Sequence, residues 1–145
     1  MGVDTSGEYW KGTEAADIAR YLTDFSADQY PVDVVRTALC SCGSESFRVL
    51  ADDAAGVAKR ICISCGSEHF VCDSAEYSDE ADLEECTCPC GRDEMNLAVG
   101  FALYPDNSEV KWLYIGLRCT SCGVLGCYAD WKIAYEPSRH LLDLI

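Results

Sequence analysis

One phrase of four cysteines is written twice in this chain. Cys40-Ser41-Cys42-Gly43 is followed by Cys62-Ile63-Ser64-Cys65-Gly66, and Cys88-Pro89-Cys90-Gly91 by Cys119-Thr120-Ser121-Cys122-Gly123. A cysteine pair followed by glycine suits a turn whose backbone amides close on sulfur, because glycine enters left-handed conformations at little cost. Two such pairs brought together make a tetrahedral set of soft ligands. The repeat therefore constrains the fold first: each pair of pairs has to meet, so the chain between them has to return on itself.

The chain holds eleven cysteines, an odd number, in 145 residues. A disulfide framework is expected in an oxidising compartment and usually with an even count. The N-terminus shows neither the basic start nor the apolar segment of a secretory signal. No apolar run approaches the ~18 residues of a membrane span. Metal ligation in a cytoplasmic protein is the expectation, with no membrane association. Eleven basic residues against 25 acidic ones give a net charge of −14. Such a chain repels phosphate backbones unless a local basic patch overcomes the field.

Laying Cys65 on Cys122 without a gap puts Ser64 on Ser121, Gly66 on Gly123 and Asp73 on Asp130. Nineteen residues separate Cys42 from Cys62 and 28 separate Cys90 from Cys119. Both intervals read as hairpins. In the first, residues 46–50 are strand-like, 52–56 turn, and 57–63 return. In the second, Met95 to Tyr104 runs up, 105–109 turns, and Val110 to Cys119 runs back. A third strand is predicted after each second pair: Phe70, Cys72 and Ser74 alternate with Val71 and Asp73, and Cys127, Ala129, Trp131 and Ile133 alternate with Tyr128, Asp130 and Lys132.

A knuckle, a hairpin, a second knuckle and a third strand resemble the zinc-ribbon family, here in two tandem copies. The resemblance covers Cys40 to about Asp73 and Cys88 to about Tyr135. It implies one zinc clamped at the base of each three-stranded antiparallel sheet. The first pair of each copy departs from the family by having one intervening residue where two or more are usual. The ligand sets are Cys40, Cys42, Cys62 and Cys65, and Cys88, Cys90, Cys119 and Cys122, giving two zinc ions per chain. Four thiolates leave no open position for water, which makes the zinc structural. The family spans many roles and assigns none.

Three cysteines remain. Cys72 and Cys127 are read as buried small hydrophobes on one strand face, against a redox pair or a third metal site. Cys86 overlaps the second copy in Cys86-Thr87-Cys88-Pro89-Cys90 and competes as a ligand there. His69 is placed as a strand histidine turned away from Phe70 and Cys72. His140 lies in a short C-terminal amphipathic turn after Pro137. No catalytic residue and no organic cofactor site is identified, since neither histidine has a partner placed for nucleophilic catalysis.

Elsewhere, Thr13 to about Ser26 reads as a helix capped by Thr13, with Ile18, Tyr21, Leu22 and Phe25 on one face. In the second hairpin Leu97, Val99, Phe101 and Leu103 line one side and the small Ala98, Gly100 and Ala102 the other. A sheet apolar on both faces has to be covered on both. The fold class expected is thus small mixed α+β, mostly antiparallel β, with two zinc-ribbon-like units packed as one body with the N-terminal helix. The divisions are 1–39 (helix and lead-in), 40–74 (first ribbon), 75–86 (acidic linker), 87–136 (second ribbon) and 137–145 (short helix).

From Asp73 to Glu85, seven of thirteen residues are acidic. This stretch reads as a solvated linker or as a docking strip with Tyr77 and Leu83 as apolar anchors. Three functions compete. The first is a non-catalytic zinc protein, adaptor or immunity/antitoxin-like, that engages a basic protein partner. The second is a transcription- or translation-associated ribbon on nucleic acid, for which the basic residues are too scattered. The third is a thiol enzyme through Cys72, Cys86 or Cys127. The first is preferred, without nucleic acid and without enzymatic activity.

Overall fold

A computed structural model describes residues 3–7, 9–72, 74–105, 109–133, 141–142 and 145, with the backbone only for 76 and 80. In chain order its elements are α1 (Asp17–Phe25), β1 (Val34–Thr37), β2 (Phe47–Asp52), β3 (Val57–Cys62), β4 (Glu68–Phe70), α2 (Ser74–Tyr77), a 3-10 turn (Ser78–Glu80), β5 (Glu84–Glu85), β6 (Met95–Leu103), β7 (Val110–Cys119) and β8 (Leu125–Lys132). All strands join one sheet in antiparallel pairs, in the order β4-β3-β2-β6-β7-β8.

That order is two-fold. Phe47 pairs with Met95 where the two halves meet, and each stands five residues after its knuckle's second cysteine. Strand β1 leaves its own half to pair with β6, with Thr37 opposite Ala98, while β5 pairs with β2, with Glu85 opposite Leu50. Just beyond, Ala38 N–H donates to Leu97 O and Cys86 N–H to Val49 O, each at 2.8 Å. The lead-in to each cysteine set thus forms an edge on the opposite half, and neither half is closed without the other.

Alternation divides the side chains. Leu97, Val99 and Phe101 of β6, with Leu113, Ile115 and Leu117 of β7, join Phe47, Val49 and Ala58 of the first half and Leu141 and Leu142 in one buried cluster. On the other face Ala98 and Tyr114 meet Ile18 and Leu22 of α1. The helix lies close because the sheet is bare beneath it. A methyl group on Gly116 would stand 2.6 Å from Ile18 Cγ2 and 2.9 Å from Leu22 Cδ1. Both faces are covered, as a doubly apolar hairpin requires. An aromatic row runs along the helix, Trp10 to Tyr21 to Phe25 to Tyr114, with centroids 5.7, 5.9 and 6.1 Å apart.

Several local expectations are corrected. The helix begins at Asp17, and the Asp17 carboxylate, not Thr13, organises the entry by accepting the Thr13 and Glu14 amides at 2.7 and 3.2 Å. The third strand of the first half ends at Phe70. Cys72 adopts φ 56°, which breaks alternation, and Ser74 opens α2 and accepts the Ala58 amide at 2.9 Å. In β8, Ile115 pairs with Ala129 and Gly116 with Cys127, leaving Tyr128 as a bulge. The bulge reverses parity, so Cys127 packs with the helix cluster and Ala129 and Trp131 with the other. The acidic stretch is structured as α2, the 3-10 turn and β5. Strand β1 was not anticipated, although Val34-Val35-Arg36-Thr37 carries three β-branched residues. The short helix expected at 137–145, with His140, falls outside the described residues apart from Leu141, Leu142 and Ile145.

Candidate metal centres

Each knuckle is built by the same backbone bonds in both halves. Gly43 N–H donates to Cys40 O and Gly91 N–H to Cys88 O; Cys40 N–H donates to Ser44 O and Cys88 N–H to Arg92 O. At the second pair, Gly66 N–H donates to Cys62 O and Gly123 N–H to Cys119 O, while Cys62 and Cys119 donate to Ser67 O and Val124 O. Glycines 43, 66, 91 and 123 all have φ between 77° and 95°, where a side chain is strained. The one-residue spacing of Cys40-Ser41-Cys42 and Cys88-Pro89-Cys90 does not prevent closure, since their glycines turn the chain directly behind the second sulfur.

Four sulfurs converge at each base. Those of Cys40, Cys42, Cys62 and Cys65 lie within 4.8 Å of one another, as do those of Cys88, Cys90, Cys119 and Cys122. The closest pairs are Cys40–Cys65 at 3.5 Å and Cys42–Cys62 at 3.6 Å, with Cys88–Cys122 at 3.5 Å and Cys90–Cys119 at 3.7 Å. A disulfide needs about 2.05 Å, and all eleven thiols are free. Sulfurs placed tetrahedrally at the roughly 2.3 Å of a zinc–thiolate bond stand about 3.8 Å apart. Two four-thiol sets of this size could each hold one metal ion, and a four-thiolate shell keeps no position for water or substrate.

The surroundings ease thiolate formation at selected sulfurs. The Cys65 amide directed at Cys62 sulfur brings that thiol down to about 6, and the Arg92 amide brings Cys90 down to about 7. The Ser67 hydroxyl and amide lower Cys65. Burial instead raises Cys88 and Cys122. A metal-free set therefore carries both thiolates and thiols, and loading a cation has to release the remaining protons.

The two centres differ in cover. At the second, the N-terminal segment is laid along the edge of β8. Lys11 bridges Val124, Gly12 N–H donates to Gly123 O at 2.8 Å, and Leu125 N–H donates to Trp10 O at 2.7 Å. Arg118 locks the clasp by donating to Gly12 O at 2.9 Å. Gly123, Val124 and Leu125 are buried, and their counterparts Gly66, Ser67 and Glu68 are exposed. Leu39 and Ile63, 59% and 43% exposed, stand bare at the first centre where the second has Thr87 and Thr120.

The remaining candidates take other places. Cys86 is the counterpart of Ala38; both are buried and neither joins a four-thiol set. Cys72 donates to Leu141 O at 3.4 Å in the interior. Cys127 lies half-buried beside Tyr21, whose hydroxyl meets its backbone amide. Burial pushes the Cys86 thiol up to about 11 and that of Cys127 to about 12, so both stay protonated at neutral pH. Cys72 and Cys127 do not share a strand face, which removes the redox pairing. His69 lies on β4 opposite Arg60. Tyr77 is 47% exposed and Leu83 half-buried. Sequence reasoning overlooked the clasp of residues 10–12, for which a lone Gly12 ahead of the helix was the sole hint.

Fold and centres together define a class: a β-rich chain with, among the described residues, one substantial helix and two four-cysteine centres compatible with zinc-ribbon-like units. Compared with models of known protein families, with curated proteins and with solved structures, the chain matches none. Among the described residues, no helix is long and apolar enough to cross a membrane.

Proposed function

We propose that this is a non-catalytic protein that carries two structural zinc ions and engages a basic protein partner. The observation that carries the reading is the pair of closed four-thiol sets with sulfurs 3.5–3.7 Å apart in their closest pairs. Zinc suits them because it accepts four thiolates tetrahedrally, and the sets offer nothing for a reacting group to bind. Each loaded set is −2, so two take the chain from −14 to about −18.

Charge placement supports the partner's sign. Arg48 is held by Glu85, Lys59 by Glu68, and the Arg60 guanidinium is buried over the Phe47 ring at 4.7 Å. Arg118 is spent on Gly12 O and Asn96, and Lys111 lies over Tyr30. These cations form no stripe for phosphates. A groove of about 630 Å³ is lined instead by Asp52, Asp53, Asp82, Glu84 and Glu85 with Tyr128, with no basic residue among the described residues that line it.

Native mass spectrometry of the purified chain is expected to show two zinc ions, both removed by chelation with loss of structure. A folded, metal-free chain or an iron–sulfur chromophore overturns the zinc reading. Tight, salt-resistant binding to single- or double-stranded nucleic acid overturns the partner reading.

A further inference from the structure

The clasp on the second centre shows what its counterpart on the first lacks. Cys62 N–H donates to Ser67 O, and Cys119 N–H to Val124 O. In an antiparallel ladder this turns the next amide, Glu68 or Leu125, away from the neighbouring strand. Leu125 N–H is met by Trp10 O, and Gly123 O by Gly12 N–H. Among the described residues nothing stands at the matching places on Gly66 and Glu68. A methyl group built on Gly123 would lie 2.5 Å from Gly12 O, whereas one built on Gly66 meets no atom within 4 Å.

We propose that the open edge of β4 at Gly66–Glu68 is a docking site for an extended segment of a protein partner, added antiparallel, with a lysine or arginine opposite Ser67. The segment's backbone would repeat the two bonds made by Trp10 and Gly12: an amide to Gly66 O, and a carbonyl accepting from Glu68 N–H. Strand addition draws affinity from such main-chain bonds and specificity from alternate side chains.

The sign of the side chain opposite Ser67 follows from where that residue faces. The Ser67 hydroxyl bonds Cys65 sulfur, so the residue paired with it lies on the thiol side of the strand. A four-thiolate set holding a divalent ion is −2 there, with Cys42 and Cys65 exposed at its rim. The clasp itself presents Lys11 at the equivalent position, opposite Val124. The occupant's charge rests on the zinc-loaded, basic-partner reading, while the strand edge rests on backbone geometry alone.

The test is amide NMR of the zinc-loaded full chain titrated with a capped peptide spanning residues 9–13, which carries the clasp's own sequence. At millimolar peptide, the Gly66, Ser67 and Glu68 signals are expected to shift, and hydrogen exchange at the Glu68 amide to slow at least fivefold. Glu68→Pro removes a donor that the fold does not use and is expected to weaken binding at least tenfold, with Glu68→Gln within twofold of the parent. A peptide carrying Lys11→Glu is expected to bind at least fivefold more weakly. Shifts confined to Gly123–Leu125, or none at Gly66–Glu68, overturn the site, as does unchanged Glu68 exchange at saturation. Shifts at Gly66–Glu68 that ignore Lys11→Glu overturn the basic occupant. Binding to the 73–85 stretch alone overturns this site and leaves the basic-partner reading standing.

Discussion

The two halves of this molecule share a backbone and differ in what covers it. Every knuckle bond of the first centre has a counterpart in the second, yet Gly123 is buried under Gly12 while Gly66 faces open space. Strand β4 has three residues and β8 has eight. The lesson is that four thiols, two glycines and a hairpin suffice to gather four sulfurs, and that a distant segment covers the backbone of the second pair in one half only, with Cys90 exposed beside it as Cys42 and Cys65 are at the first centre. Coordination geometry is local; access is tertiary.

The broadest way to break the comparison is to remove the metal. Chelation is expected to unfold both halves, because structural zinc commonly contributes ~10 kcal/mol or more of apparent folding free energy. If cover matters, the first centre should lose its ion first, seen by mass spectrometry as a singly loaded species retaining the Cys88–Cys122 set. Simultaneous loss would show that the clasp does not protect. Acid should act likewise. Bound thiolates titrate below their unfolded value of about 8.5, so their stabilisation is present above that pH and fades as pH falls through the folded values. Without metal Cys62 and Cys90 titrate near 6 and 7, and a bound cation holds its thiolates lower still, so the loss sets in on the acid side of those values. Zinc release on lowering pH from neutral, followed with a zinc-sensitive dye, checks this sign.

A narrower break is one lost ligand. Cys122→Ser should unfold the chain globally, because the second half supplies most of the core strands, β6 and β7 above all. Cys65→Ser should free one ion and melt β4 while tryptophan fluorescence from Trp112 and Trp131 stays native-like. Equal global loss in both variants would mean that the halves fold as a single cooperative unit.

Smaller still is the pair Gly66→Ala and Gly123→Ala. Both sites are left-handed, at φ 77° and 83°, so each should lose about 1–2 kcal/mol to backbone strain. Only Gly123→Ala also collides with Gly12 O. It should be the more damaging variant in chemical denaturation and should raise amide exchange across residues 10–12. The smallest effect is expected at Cys86→Ala. Its counterpart is already Ala38, so the cost should be about 1 kcal/mol, with both ions retained. Loss of an ion from this variant would reinstate Cys86 as a ligand.

Much of this was legible from sequence, for identifiable reasons. The hairpins could be placed because Met95 to Leu103 and Val110 to Cys119 are long apolar runs around a polar turn. The face occupied by Ile18 and Leu22 followed from helical spacing. Errors fell where a single residue changes parity. Tyr128 bulges out of β8 and Cys72 turns left-handed, and neither leaves a compositional mark. The helix start shifted because Asp17 captures amides upstream of it, a competition between two good capping residues that spacing does not resolve.

By itself, the sequence determined which sulfurs meet. Ligand spacing and left-handed glycines are properties of a few adjacent residues, and a hairpin of either length returns one pair to the other. Tertiary structure decided that each lead-in strand crosses to the opposite half, that α1 settles over Gly116, and that Trp10–Gly12 covers Gly123–Leu125 while Gly66–Glu68 stays uncovered. Those contacts join residues as far apart as Gly12 and Gly123. Their donors and acceptors are backbone groups that every residue except proline carries in full, so the pattern of side chains holds no record of which ones will meet.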